Sequence, residues 1–165
     1  MLGALEAGWS GGPGGVAAMP TTLSALDGPI AADHSGSIVV DVPFGLYNLP
    51  FYGEPPTTQA ILIATADGHP RAACYTSWVP TRTVTATAGH PFYAQLNEAQ
   101  QGRDQTPAQI AAARADLRTL HVGWVLVWLP QLNHALSQYL SGTGFAFRYR
   151  ADGASVYRPA GSATG

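Results

Sequence analysis

The sequence predicts an α/β (α+β) fold, a single domain built on a mixed sheet of about four to six strands with about three helices packed on it. Three observations carry this expectation. The run Val122 to Leu129 is apolar on both of its faces, as a central strand must be. Amphipathic helical patterns precede and follow it. Asp152-Gly153 then sits between two alternating segments, a strong signal for a tight hairpin.

Ser37 to Val42 is a short β-branched run stopped by Pro43, which reads as a buried strand. The following proline- and aromatic-rich stretch cannot hold a regular ladder and is expected to be a long loop. Thr58 to Thr65 fits either a second strand or a short buried helix. Ala66 to Pro70 is a turn by its chemistry, because Asp67-Gly68 supplies a positive-φ position and Pro70 blocks continuation. Arg71 to Trp78 is expected to be extended, and the threonine-rich stretch after Pro80 is expected to be loop. Pro91 opens a helix over Phe92 to Gln101, which Gly102 ends.

Thr106-Pro107-Ala108-Gln109 is the clearest local signal. Thr106 can cap the free amides of a first helical turn, Pro107 sits where no amide is needed, and Gln109 can reach back to the cap. The helix that follows runs to about Leu120, with Ile110, Ala113, Leu117 and Leu120 on one face. Arg118 complements its C-terminal dipole. Leu132, Leu136, Tyr139 and Leu140 mark another helix, ended by Gly142 and Gly144. Phe145 to Tyr149 and Ser155 to Arg158 are the two arms of the hairpin. Residues 1–19 are expected to be a flexible glycine-rich leader, 20–159 the single α/β domain, and 160–165 a disordered tail.

Composition narrows the function. Apolar residues make up 46% of the 165, enough for a real core. Charged residues are 11%, against roughly 25% in an average soluble domain. The chain has no lysine and no basic stripe, so nucleic acid is not an expected partner. Low charge density suits a domain beside a membrane or a partner chain. No window approaches the ~20 apolar residues of a membrane helix.

Catalytic patterns are missing. Cys74, the single cysteine, lies in an apolar ACYTSW context and reads as a structural thiol. The five histidines never fall at metal-ligand spacing, and no metal or other cofactor is expected. Gly11, Gly12, Gly14 and Gly15 precede no strand-helix unit and make no phosphate loop. Asp41, at the end of a buried strand, fits either a ligand contact or an acceptor for the loop after it. Glu54 and Asp67 are its possible partner carboxylates by elimination. Phe44, Tyr47, Phe51, Tyr52, Tyr75 and Trp78 form an aromatic set suited to stacking on sugars, or to packing in the core.

The order of short motifs resembles the soluble C-terminal, extracytoplasmic domain of bacterial polytopic membrane glycosyltransferase-like proteins that use polyprenyl-phosphate sugars. The matching residues are Val39-Val40-Asp41-Val42-Pro43, then Tyr75, Ser77 and Pro80, then Leu117-Arg118 with Val122 to Trp128, and last Asp152-Gly153 and Val156-Tyr157-Arg158. Residues 20 to 158 are covered. Two positions depart from the pattern: Asp67 stands where a histidine is usual, with His69 at the basic position, and Trp78 stands where an arginine is usual. The resemblance implies a non-catalytic accessory module at the extracytoplasmic face of the cell membrane. Its partners would be a glycan, a polyprenyl-linked sugar or the membrane portion of the same or a partner protein. Asp41, Tyr47, Tyr52, His69, Tyr75 and Trp78 are the ligand-binding candidates. The alternatives are a small hydrolase or transferase using Asp41 or Cys74, and a protein-binding adaptor.

Overall fold

The computed structural model describes residues 6–7, 17–18, 25–45, 67–72, 81–128 and 132–161. The strands are β1 (Glu6–Ala7), β2 (Ala17–Ala18), β3 (Ile38–Val42), β4 (Val122–Trp128), β5 (Phe145–Ala151) and β6 (Ala154–Pro159). The helices are α1 (Asp27–Ala31), α2 (Thr81–Ala88), α3 (Pro91–Gln100), α4 (Pro107–Leu120) and α5 (His134–Thr143). β1 and β2 form a two-residue antiparallel ladder. The main sheet has the order β3-β4-β6-β5. β3 runs parallel to β4, and the β4–β6 and β6–β5 pairs are antiparallel, so the sheet is mixed.

The two faces of the sheet follow from the period-2 alternation of its strands. Val40, Val42, Val125, Val127, Phe145 and Tyr157 face α3, α4 and α5. Phe92 and Leu96 of α3 and Leu136, Tyr139 and Leu140 of α5 fill this layer and are fully buried. Removing each such side chain from water contributes about 1.5–3 kcal/mol. Val39, Trp124, Leu126, Trp128, Ala154 and Val156 point the other way, where Leu26 and Ile30, from and just before α1, cover part of the face. β4 is therefore buried on both sides, as its lack of a polar face requires.

Helix ends form as their residues dictate. Thr106 and Gln109 make a reciprocal capping box on α4, with Pro107 in the first turn. Asn133 caps α5 by accepting from the Leu136 amide at 2.8 Å. α5 extends through Gly142, so Gly144 alone, at φ 99°, is its left-handed stop. Asp152 (φ 49°) and Gly153 (φ 83°) make the β5–β6 turn with two positive-φ positions, the geometry that matches strand twist.

One expectation is overturned among the described residues. Thr81–Ala88 is a helix, where proline and threonine suggested a loop. The helix penalty of threonine is a few tenths of a kcal/mol per residue, and contact with α3 outweighs it. Pro80 directly precedes the helix, a place where proline costs no hydrogen bond. Thr58 to Thr65 and 73–78 lie outside the described residues.

Candidate functional site

Asp41 is the fourth residue of β3, and the alternation of the strand turns its side chain to the face opposite α3–α5. Trp128, on the adjacent β4, donates its indole N–H to Asp41 Oδ1 at 3.0 Å. Arg71 Nη1 donates to Asp41 Oδ2 at 3.3 Å. The other guanidinium nitrogen of Arg71, Nη2, pairs with Asp67 Oδ2. All three ionisable side chains are buried, with 6%, 8% and 0% of the side-chain surface of Asp41, Arg71 and Asp67 exposed. Arg71 Nε has no acceptor among the described residues.

The segment that delivers Arg71 is docked on the free edge of β3. Val39 donates its amide to the Pro70 carbonyl at 2.9 Å, and Ala72 donates to the Val39 carbonyl at 3.0 Å. Gly68 takes φ +73°, which a Cβ would strain. Asp67 Oδ1 accepts the His69 amide at 2.9 Å and closes the turn. The His69 ring is also buried, with Nδ1 2.7 Å from the Ser37 carbonyl and Nε2 2.7 Å from the Asp33 carbonyl. The 67–72 turn is thus held to β3 and to the 33–37 loop by backbone, imidazole and guanidinium contacts.

A second carboxylate–tryptophan–arginine unit lies four residues back along the same face of β4. Trp124 donates to Asp33 Oδ2 at 2.9 Å, and Arg158 Nη2 donates to the same oxygen at 3.0 Å. The Arg158 guanidinium sits 4.2 Å from the centre of the Trp124 ring, a cation–π arrangement. Burial acts to raise the Asp33 carboxyl. The Ser35 and Trp124 hydrogen bonds and the Arg158 charge outweigh it and hold the group below its ordinary range. For Asp41 the balance falls the other way. Burial raises it, the Arg71 charge and the Trp128 hydrogen bond draw it back, and the neighbouring Asp67 charge raises it again.

Phe44 leaves β3 after the cis Val42–Pro43 bond and is fixed at once. Gln100, at the end of α3, accepts the Phe44 amide at 2.7 Å and donates to the Phe44 carbonyl at 2.9 Å. The Phe44 ring stacks on Tyr93 at 4.8 Å and 6°. The chain therefore enters the proline- and aromatic-rich stretch from an anchored residue.

On the helical layer, Asp116 of α4 bonds His90 Nδ1 at 3.0 Å through Oδ1 and accepts the Phe92 amide at 3.1 Å through Oδ2. This carboxylate replaces the missing side-chain cap of α3. Burial, and then the Asp116 charge, push the nearby Tyr93 phenol up to about 12. No nucleophilic side chain is bonded to His90 among the described residues, so the pair is a helix clamp.

Of the sequence-derived candidates, Asp41 on β3 and Asp67 on the docked turn meet at Arg71, and His69 is buried on the same turn against the 33–37 loop. The expected alternative for Asp41, an acceptor for the loop after its strand, is replaced by Trp128 from β4 and Arg71 from the docked turn. Tyr47, Tyr52, Tyr75 and Trp78 lie outside the described residues, as do Cys74 and Glu54. Sequence reasoning missed Arg71, Asp33, Trp124, Arg158 and Gln100 as members of polar networks. The one available signal was the period of β4, which puts Trp124 and Trp128 on the same face, each with an indole N–H that needs an acceptor.

Among the described residues, no group of three or more acidic, histidine or cysteine side chains is arranged to hold a metal ion. No helix among them is long and apolar enough to cross a membrane. Comparison with family models, curated proteins and solved structures gives no match to the chain. The class of protein that stands is a single α+β domain with a four-stranded mixed sheet.

Proposed function

We propose that this chain is a non-catalytic accessory module of a membrane glycosyltransferase-like protein, acting at the extracytoplasmic face and binding glycan, lipid head group or a partner. The observation that carries the reading is the state of Asp41. Both of its oxygens accept hydrogen bonds, from Trp128 and Arg71, and neither faces a histidine. A general acid or base needs a free approach to a reacting atom, and a carboxylate closed in this way has none. It serves as an internal brace. The motif order of the resemblance supports the same reading, because Asp41-Val42, Val122 to Trp128 and Asp152-Gly153 fall on the end of β3, on β4 and on the β5–β6 turn. The binding surface would then be built from the aromatic stretch that starts at the anchored Phe44, with Tyr47, Tyr52, Tyr75 and Trp78 as its contacts.

The test is a titration of the protein with a short-chain polyprenyl-phosphate sugar and, separately, with a neutral acceptor oligosaccharide. Tryptophan fluorescence and amide chemical shifts are the readouts. Saturable binding that Tyr52→Ala or Trp78→Ala weakens, with no product formed, is the expected result. Turnover of a glycoside or ester by the chain alone, abolished in Asp41→Asn or Cys74→Ala, would establish the hydrolase or transferase reading instead.

A further inference from the structure

β5 ends the main sheet on the side away from β3. Phe145, at its start, is buried, with its ring centre 6.1 Å from that of Phe92 on α3. Phe147 follows on the same face and is 52% exposed, the single large apolar side chain so open to water among the described residues. Tyr157 on β6 stands opposite it, with ring centres 5.8 Å apart and planes at 75°. An edge-to-face contact of this kind covers at most one face of the Phe147 ring.

On a regular strand Phe147 and Arg150 would face opposite ways, because they lie an odd number of positions apart. A bulge changes this. The two steps from Phe147 to Tyr149 match the single step from Tyr157 to Val156, with Arg148 as the extra residue. Arg150 then pairs with Ser155, which shares the face of Tyr157. Arg150 is exposed, and its Nε donates to the hydroxyl of the fully buried Ser155 at 3.0 Å, which fixes the guanidinium at its base. Its terminal nitrogens have no acceptor, and no carboxylate within ion-pair distance, among the described residues. Burial raises the Tyr157 phenol, and the nearby Arg150 charge draws it back. An open aromatic ring and a held, unpaired guanidinium thus flank Tyr157 on one face.

Each half of this patch calls for its own chemistry. The negative face of an aromatic ring attracts the C–H groups of a pyranose. A guanidinium fork takes a carboxylate or a phosphate through two parallel hydrogen bonds. A bulge and an exposed arginine on an outer strand disfavour pairing with a further strand, so the patch suits a small ligand over an added peptide. We propose that Phe147 and Arg150 form a binding site for an acidic sugar, a pyranose that bears a carboxylate or a phosphate. The choice of a sugar rests on the glycan-binding reading above, but the site uses none of the aromatic residues of that surface.

The test titrates the full chain with methyl glucuronide and with glucosyl phosphate. Methyl glucoside is the ring-only control, and acetate and inorganic phosphate are the anion-only controls. Amide and arginine Nε chemical shifts are the readouts. The expected result is saturable binding of at least one acidic sugar, centred on Phe147, Arg150 and Tyr157 and at least about tenfold tighter than any control. Which acidic sugar binds tells whether the anion is the carboxylate of a glycan or the phosphate of an activated sugar. Phe147→Ala should weaken binding about two- to tenfold, and Arg150→Gln at least about tenfold. No shift at these residues with either acidic sugar overturns the site. So does a control that binds as tightly as the sugars, or a pair of variants that bind as the wild type does. The wild-type shift map decides the question even where a variant fails to fold. The neutral-oligosaccharide titration with Tyr52→Ala and Trp78→Ala reports on the other surface, so each reading can fail alone.

Discussion

Replacing Gln100 by alanine tests how the start of the aromatic stretch is held. The side chain makes three hydrogen bonds: from the Phe44 amide at 2.7 Å, to the Phe44 carbonyl at 2.9 Å and to Asn97 Oδ1 at 2.9 Å. Phe44 is 5% exposed, so its amide and carbonyl lose their partner in a place that water reaches poorly. A stranded buried polar group costs about 1–3 kcal/mol, and partial hydration of this half-buried site brings the total for two groups to about 2–4 kcal/mol. That corresponds to a folding constant lowered by about 30- to 1000-fold. Gln100→Glu separates the two backbone contacts. It keeps an acceptor for the Phe44 amide and loses the donor to the Phe44 carbonyl. Urea unfolding gives the stability loss, and hydrogen exchange at the Phe44 amide gives its location. Fast exchange in Gln100→Ala with retained protection in Gln100→Glu is the expected pattern. A stability loss under about 1 kcal/mol with unchanged Phe44 exchange would refute the anchoring argument.

Two further outcomes follow from contacts on the sheet. A Cβ at Gly123 would stand 2.1 Å from Ser37 Oγ and 2.5 Å from Ser37 Cβ, so Gly123→Ala is expected to cost about 1–3 kcal/mol in thermal or urea unfolding. Ser37→Gly in the same chain removes both clashing atoms and should recover most of the loss; a double variant no more stable than the single one refutes the clash. Asp33 is held below its ordinary 3.8 in the folded state, so it contributes stability above that value and loses it as pH falls through the folded value. Asp33→Asn should therefore flatten the acid limb of the stability profile, and an unchanged limb counts against the Trp124–Asp33–Arg158 unit.

The parts of the fold that were legible in the sequence are those specified over short distances. The α4 capping box, the Asp152-Gly153 turn and the apolar β4 each depend on residues a few positions apart. The helix at Thr81–Ala88 is not legible locally, because its own residues weakly oppose it and its support comes from α3. The candidate site was legible in part for the same reason. Asp41 stands out as an acid in an apolar strand, and the Asp67-Gly68 turn announces itself. Arg71 looks like any residue after a turn until parallel pairing with Val39 carries it to Asp41. Asp33 meets Trp124 and Arg158 only across the assembled sheet, and no local pattern encodes that meeting. Gln100 is one of several glutamines near a helix end, and nothing nearby marks it as the partner of Phe44.

The parallel β3–β4 pair has a consequence for how the molecule assembles. α4, β4, α5, β5 and β6 follow one another directly, so their contacts close short loops. β3 must find β4 from about 80 positions away, a costly closure in a free chain. The C-terminal half is thus the natural folding nucleus, and β3 adds to a surface already formed. Pulse-labelled exchange should protect Val125 and Val156 before Val40, and the reverse order would place the nucleus elsewhere. The acid that braces the sheet and the turn that clasps it then arrive last, and mutations there should speed unfolding more than they slow folding.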